Sequence, residues 1–450
     1  MNRKVIFIAL GGLVGFLLLM FGLFAAFGGG NKQKEAPKED KDITLTYWRL
    51  FDDKEKLEPI FAEFKKENPK VNIEYKKLTF QEYEKTLVES LAGGRGPDLF
   101  SVHNTWLPKF QDKIGPAPED MSVDDYKKAF FPLVFEETVK DNRIVSIPLS
   151  MDSLALFYNS DALSKAEIDQ PPASWEDLVG RAKDPTRPGD EGNPGMLTKL
   201  NNRQGNAFNQ SAIALGNAQV TRAQDILSLM MLQQGTEMVN QDRDKALYNL
   251  IQKTDQDKEV HLGTEALNFY TSFADPRKTN YSWNAQIGDT VRAFSQGKTT
   301  MMLGYSYHLP TLERLNPNLR FNIAPAPQIG GRDPINYGSY WTEVVSKTSP
   351  NQEAAWKLLS FMSSKNFVKD YNDATQTVPA RRDVSAPGKL EVFFGQNETA
   401  KNWYRGEYDK SEQIFLDMIS QLLGGEDPQR AIDNAANKQT SVLKAFKGES

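Results

Sequence analysis

ITLTYWRLFDDKEKLEPIFAEFKKENPKVNIEYKKLTFQEYEKTLVESLAGGRGPDLFSVH, residues 43–103, alternates strand and helix signals in the order that decides the fold. Residues 43–50 read as a strand closing on the aromatic pair Tyr47-Trp48. Beyond Asp52, the residues Leu57, Ile60, Phe61 and Phe64 recur at helical spacing until Asn68-Pro69 ends the run. Val71, Ile73 and Tyr75 then alternate as a second strand. Thr79-x-x-Glu82 offers a capping box for a second helix, and Gly93-Gly94-Arg95-Gly96-Pro97 breaks it before a third strand at 98–102. Strands joined by helices of ten or more residues need right-handed crossovers, so the order βαβαβ implies a parallel sheet in a doubly wound α/β lobe. Open sheets of this kind hold ligands beyond the carboxyl ends of their strands, here residues 48–53 and 103–106.

Upstream, residues 5–27 are uncharged and almost wholly apolar. As a helix they would rise about 35 Å, enough for a hydrocarbon core of about 30 Å. Residues 1–29 are therefore expected to be a membrane anchor or signal, with Ala25-Ala26-Phe27-Gly28 a poor match to a cleavage site. Gly-rich and then charged, residues 30–42 read as a flexible linker. Cations flank the apolar run on both sides, Arg3 and Lys4 before it and Lys32, Lys34, Lys38 and Lys41 after it, so charge alone does not orient it.

The composition removes several classes of function. With 450 residues there is chain for two or three domains, and a net charge of −5 gives nucleic acid no basic surface. Cysteine is absent, which excludes disulfides, thiolate metal sites and lipid attachment through an N-terminal Cys. His103, His261 and His308 are the three histidines, and none stands in a zinc-binding H-E-x-x-H motif. Gly297-Lys298-Thr299 resembles the end of a phosphate loop, but Arg292 occupies the required Gly position, so a helix C-cap turning into a strand at 299–303 is the better reading. No cofactor and no metal are expected.

Downstream, strands are expected at 143–149 and 154–159, and Ser174-x-x-Asp177 marks a helix start. Ser349-Pro350-Asn351-Gln352 opens a helix carrying Ala355, Leu358, Leu359 and Met362, and Asp427-Pro428 opens a last one carrying Ala431, Ile432, Ala435 and Leu443. The positive chemical signal is aromatic. Trp48, Trp106, Trp283, Tyr305, Tyr307, Tyr340, Trp341, Trp403 and Tyr404 fall at strand ends or in loops, where flat rings can stack on sugar faces, although a loop Trp also serves to plug a core. Asp52-Asp53 could supply a carboxylate pair for glycoside chemistry, but it stands where a helix begins, and acidic residues favour that position.

In order and spacing, the stretches ITLTYWRLFDD, LAGGRGPDLFSVHNTWLPKF, RIVSIPLSMDSLALFYNSDAL, AFSQGKTTMMLGYSYHL, NYGSYWTEVVSKTSPNQEAAWKLLSFM and TVPARRD together resemble the extracellular solute-binding proteins of ATP-driven importers, the group that includes maltose-binding protein. The resemblance implies a two-lobed α/β clamp of the periplasmic-binding-protein kind (type II) with discontinuous lobes, preceded here by one transmembrane helix. It places lobe 1 at 43–149 plus 303–341 and lobe 2 at 150–302 plus 342–450, with crossings near 149–153, 299–303 and 340–343. The cleft residues it implies are Trp48, Asp52, Asn104, Trp106, Asp152, Tyr305, Tyr340, Trp341 and Trp403. No catalysis is implied. The expected partners are a small polar ligand, a sugar above all, and ABC permease subunits, with the folded part outside the cytoplasm. The alternatives are an anchored glycan-processing hydrolase using Asp52 and Asp152, or a cell-surface receptor or adhesin on the same fold.

Overall fold

The computed structural model describes residues 42–181, 192–253 and 258–447. In chain order, the elements that position the site begin with β1 (Ile43–Arg49), α1 (Lys54–Glu67), β2 (Val71–Lys77), α2 (Phe80–Ala92), β3 (Leu99–His103), β4 (Ile114–Gly115), α3 (Pro132–Thr138) and β5 (Ile147–Pro148). There follow β6 (Asp152–Ser153), β7 (Ala155–Asn159), β8 (Asn202–Gln204), β9 (Ala207–Ala214), α4 (Ala223–Gln234), α5 (Leu262–Ser272), β10 (Thr299–Gly304), β11 (Phe321–Pro325), β12 (Asn336–Ser339) and β13 (Trp341–Ser346). Last come α6 (Gln352–Met362), α7 (Lys365–Thr375), α8 (Leu390–Gln396), β14 (Ala400–Lys401), α9 (Tyr408–Leu423) and α10 (Pro428–Lys447).

Two sheets organise the molecule. The first runs β2-β1-β3-β13-β4, with β5 also on β13; β1 lies parallel to β2 (Ile43 opposite Val71) and to β3 (Tyr47 opposite Leu99). The βαβαβ reading of 43–103 is thus realised. α1 buries Leu57, Ile60, Phe61 and Phe64, and the Asn68 N–H closes the last turn on the Phe64 carbonyl before Pro69. At roughly 2 kcal/mol for each buried apolar side chain, that face contributes about 8 kcal/mol before chain entropy is charged against it. One side of the sheet packs Tyr47, Phe61, Phe64 and Leu358; the other packs Tyr83, Phe100, Val102 and Trp106. The capping box expected at Thr79 takes another form: its hydroxyl donates to the Glu82 carboxylate at 2.8 Å and caps no backbone N–H. At Ser174 and Asp177 the full box is present.

The second sheet runs β8-β9-β10-β7-β11 around a core that includes Phe157, Ile213, Ile226, Met301 and Phe415. Gly297, at φ +70°, turns the preceding helix into β10, which accounts for Gly297-Lys298-Thr299 without a phosphate. Between the two sheets lies a three-stranded ribbon, β14-β12-β6.

This topology revises the division of the lobes. The chain passes from β5 in the first sheet to β7 in the second around 149–154, and from β12 in the ribbon to β13 in the first sheet at 340. The segment 299–303, expected as a crossing, is not one, because β10 sits between β9 and β7 inside the second sheet. Segment 303–341 therefore belongs largely to the second lobe, as β11 shows by pairing with β7. Conversely β13 is inserted in the first sheet, and α6 and α7 pack there through Leu358, Leu359, Phe367 and Tyr371, so 342–450 is divided between the lobes. The remaining crossing follows α7, where the Met151 N–H donates to the Val378 carbonyl at 2.9 Å. An all-buried strand such as β10 fits the middle of either sheet, and local sequence does not say which. Among the described residues no helix is long and apolar enough to cross a membrane; the apolar run 5–27 lies outside them.

Candidate functional site

The carboxyl ends of β1 and β3 and the start of β13 meet at one edge of the first sheet, with Trp341 directly opposite His103. Trp341 is partly exposed and takes edge contacts from Trp106 (5.2 Å between ring centroids), His103 (5.4 Å), Phe51 (5.5 Å) and Phe80 (6.5 Å). Phe51 and Phe80 are 59% and 58% exposed, so the group forms an aromatic ledge open to solvent. Trp106 itself is buried beneath it, and Trp48 carries the Lys76 ammonium over its face at 4.7 Å.

Beside the ledge, Asn104 and Tyr340 hold one carboxylate. The Asn104 Nδ2 donates to Glu137 Oε2 at 2.9 Å and the Tyr340 hydroxyl donates to the same oxygen at 2.7 Å. Burial pushes the Glu137 carboxyl up, and these two donors counter it in part. Asp52 is engaged elsewhere. It pairs with Arg49 Nη1 at 2.9 Å and accepts from Tyr371 at 2.9 Å, while Arg49 also pairs with Glu343 at 3.2 Å. This buried knot ties β1, β13 and α7 together inside the first lobe.

The facing wall comes from the ends of β9 and β10. Tyr305 is buried and donates to Asp225 Oδ2 at 3.0 Å; its ring stacks on that of Tyr307, which is 56% exposed. Arg222 lies over Tyr305 (5.4 Å), pairs with Asp225 and donates through Nη2 to the Tyr408 hydroxyl at 3.0 Å. Arg405 reaches Asp225 Oδ1 at 3.3 Å, with its guanidinium against the rings of Tyr337, Trp403 and Tyr408. Burial opposes ionisation of Asp225, but the two guanidiniums outweigh it and hold the carboxyl below its ordinary range. Trp403 turns inward instead, donating to Ser228 at 3.1 Å and packing on Phe415, and Trp283 is likewise a core residue.

At the ribbon, Asp152 accepts from the Ser306 N–H (2.8 Å), the Ser306 hydroxyl (2.7 Å) and the Ser153 N–H (2.9 Å). Burial raises its carboxyl to about 7 despite these bonds. Contacts among the described residues span the lobes beside the ledge. The His103 ring lies 5.7 Å from Tyr408, and Lys109 pairs with Glu84 of its own lobe and, at 3.3 Å, with Glu407 at the start of α9. His103, pushed down to about 3 by burial, is neutral. Among the described residues no three His, Asp or Glu side chains gather to hold a metal. A cavity of about 670 Å³ on the second lobe, lined by Asn217, Phe269, Arg277, Asn284 and Leu423 among others, includes none of the wall residues.

Of the nine residues named from sequence, the fold brings Asn104, Tyr340, Trp341, Trp106 and Trp48 to the first wall, Tyr305 to the second and Asp152 to the ribbon. Asp52 and Trp403 are committed to the interiors of the lobes. Glu137, Arg222, Asp225, Arg405 and Tyr408 were missed. Arg222 and Asp225 had a readable signal, since they open the otherwise uncharged AQDILSLMMLQQ helix, where an unpaired charge would be costly.

Comparison with known proteins agrees with this architecture. A binding protein of Brucella abortus (strain 2308) is 25% identical over 412 residues, covering 86% of this chain and 91% of its own length. The sn-glycerol-3-phosphate-binding periplasmic protein UgpB of Escherichia coli (strain K12) is 24% identical over 448 residues, covering 90% and 93%. Among solved structures, the sugar-binding protein MalE of Xanthomonas citri superposes with a TM-score of 0.72 at 19% identity, over 90% of this chain and 98% of that one. The family profile of the bacterial extracellular solute-binding proteins matches residues 51–366. With that match covering most of the chain, and two α/β lobes joined by a ribbon at its cleft, the protein belongs to the bacterial extracellular solute-binding protein family.

Proposed function

We propose that this chain is the substrate-binding component of an ATP-driven importer, capturing a sugar or oligosaccharide between its lobes and handing it to a membrane permease. The observation that carries the reading is the pairing of an open aromatic ledge, Phe51-Trp341-Phe80, with an exposed ring, Tyr307, at the carboxyl edges of the two sheets. Rings so placed offer apolar faces to a pyranose, while Asn104, Tyr340 and Glu137 on one side and Arg222 on the other supply polar contacts. Relatives named for sugar and for glycerol phosphate support a small polar solute as the ligand.

The closed form is the one that gains contacts with the solute from both walls, so the solute shifts the population toward closure, and the closed surface is what the permease reads. No bond is made or broken. The hydrolase alternative needs a catalytic carboxyl pair, but Asp52 is committed to Arg49 and Asp152 to Ser306. Residues 5–27 would tether the lobes to the outer face of the cell membrane through the 30–42 linker.

The test is calorimetric titration and thermal shift of the full chain in detergent against oligosaccharides, polyols, amino acids and peptides. A sugar that raises the Tm in a concentration-dependent way and is recovered intact supports capture. Conversion of the sugar to product, or binding confined to peptides, rejects it.

A further inference from the structure

We infer that Arg222 of the second lobe and Glu137 of the first are opposing polar contacts of the bound solute, and that together they select a neutral, hydroxyl-bearing solute over a phosphorylated one. This rests on the solute-capture reading and narrows it.

Each group spends half of its bonding capacity on its own lobe and leaves the other half open. A guanidinium carries five N–H donors. In Arg222, Nε and Nη2 are directed to Asp225, and Nη2 also reaches the Tyr408 hydroxyl, while Nη1 makes no hydrogen bond among the described residues. The Arg222 side chain is 25% exposed, against 3% for its partner Asp225, so the pair is solvated at its Arg222 end. Glu137 mirrors this arrangement. Its Oε2 accepts from both Asn104 and Tyr340, while its Oε1 accepts nothing among the described residues and the side chain is partly exposed.

A chain of contacts links the two groups from one lobe to the other. Asn104, which holds Glu137, follows His103 directly, His103 faces Tyr408, and Tyr408 accepts from Arg222. The backbone of Arg222 adds an independent sign. At φ 63° it occupies the left-handed region without being Gly, directly before the first residue of α4. Such a conformation is costly, persists where surrounding structure enforces it, and clusters at ligand sites.

Charge then decides the class of solute. On the second wall Arg222 and Arg405 share Asp225 with Glu412 beside them, and on the first Glu137 has Lys140 beside it, so neither wall carries excess positive charge. A vicinal diol suits this arrangement: one hydroxyl donates to Glu137 Oε1 and a neighbouring oxygen accepts from Arg222 Nη1. A phosphorylated sugar still has hydroxyls to donate to Glu137, but its phosphate dianion would meet the Glu137 and Asp225 carboxylates with no uncompensated cation to offset the repulsion.

The test uses the full chain and calorimetry with two sets of probes: maltotriose, mannobiose and raffinose as neutral sugars, glucose 6-phosphate and sn-glycerol 3-phosphate as charged ones. At least one neutral sugar is expected to bind, with every phosphorylated probe at least 100-fold weaker. Glu137→Gln should weaken the neutral sugar about tenfold and narrow its advantage over the phosphates about tenfold. Arg222→Gln leaves Asp225 paired with Arg405, and should weaken the neutral sugar at least tenfold with circular dichroism unchanged. A phosphorylated probe that binds more tightly than the sugars, or variants that bind the neutral sugar as the parent does, would overturn this inference alone. No binding by any probe would overturn the capture reading and this inference with it.

Discussion

Asp152→Asn tests the ribbon between the lobes, because the ribbon holds a carboxyl that burial raises from an ordinary 3.8 to about 7. An acid whose folded pKa lies above its unfolded value binds its proton more tightly in the folded state. Its contribution to stability is therefore fully present below about pH 4 and is lost as the pH rises toward 7, beyond which the loss is constant. A shift of about three units corresponds to a loss on the order of 4 kcal/mol, or roughly 10 °C in Tm for a lobe of this size. Asn keeps an oxygen that can accept from the Ser306 N–H and has no charge to lose. Thermal melts of parent and variant at pH 5, 6, 7 and 8, taken as a difference at each pH, cancel the titration of every other group. The variant should gain on the parent steadily from pH 5 to 7 and melt higher at pH 8. A difference that does not change with pH would refute the reasoning and return Asp152 to the status of an ordinary solvated carboxylate.

Three further outcomes follow from the geometry. Asp225→Ala strips both Arg222 and Arg405 of their buried partner and should cost about 3–5 kcal/mol in denaturant unfolding, with the loss confined to the transition of the second lobe if the lobes unfold separately. Trp341→Ala removes the centre of the ledge against which Phe51, Phe80, His103 and Trp106 rest; sugar affinity should fall at least tenfold by calorimetry, while the melting temperature falls by only a few degrees. Gly263→Ala should destabilise by about 1–3 kcal/mol, since the new methyl would collide with the Tyr248 carbonyl oxygen at the first turn of α5; a melting temperature equal to the parent's would show that this contact relaxes freely.

Much of the first lobe was legible in the sequence because periodicity is a local property. The stripe Leu57-Ile60-Phe61-Phe64 and the alternation Val71-Ile73-Tyr75 each declare their element without reference to distant residues, and the order of elements then fixes the handedness of the crossovers. Strand-end positions likewise drew attention to Asn104, Tyr340, Trp341 and Tyr305, which lie at the carboxyl edges of the sheets or beside them. They misled where a partner decided the role. Asp52 lies three residues from Arg49 and folds back onto it, and Trp403 finds Ser228 from 175 positions away. Sheet membership was equally opaque: β10 is buried throughout, and only its pairing with Ser211–Ala214 and with β7 assigns it to the second lobe. Glu137 was invisible for a different reason. Charged residues on or beside helices usually belong to a solvated face, and nothing local marks the exceptions.

β13 lies between β3 and β4 in the first sheet, and the hydrogen bond that joins Ser101 to Glu343 spans 242 positions of chain. A ribosome adding about 5–20 residues per second leaves the edge of β3 unpaired for roughly 12–50 s after it has been synthesised. Until then the first sheet is short of the strand that completes its centre, and distant pairings of this kind form slowly even once the chain is whole. The nascent polypeptide therefore spends its synthesis without a finished domain. That is the loose, extended condition in which a narrow secretion channel can thread a chain, and the late insertion of one strand leaves the first sheet in it until about three-quarters of the chain has been made.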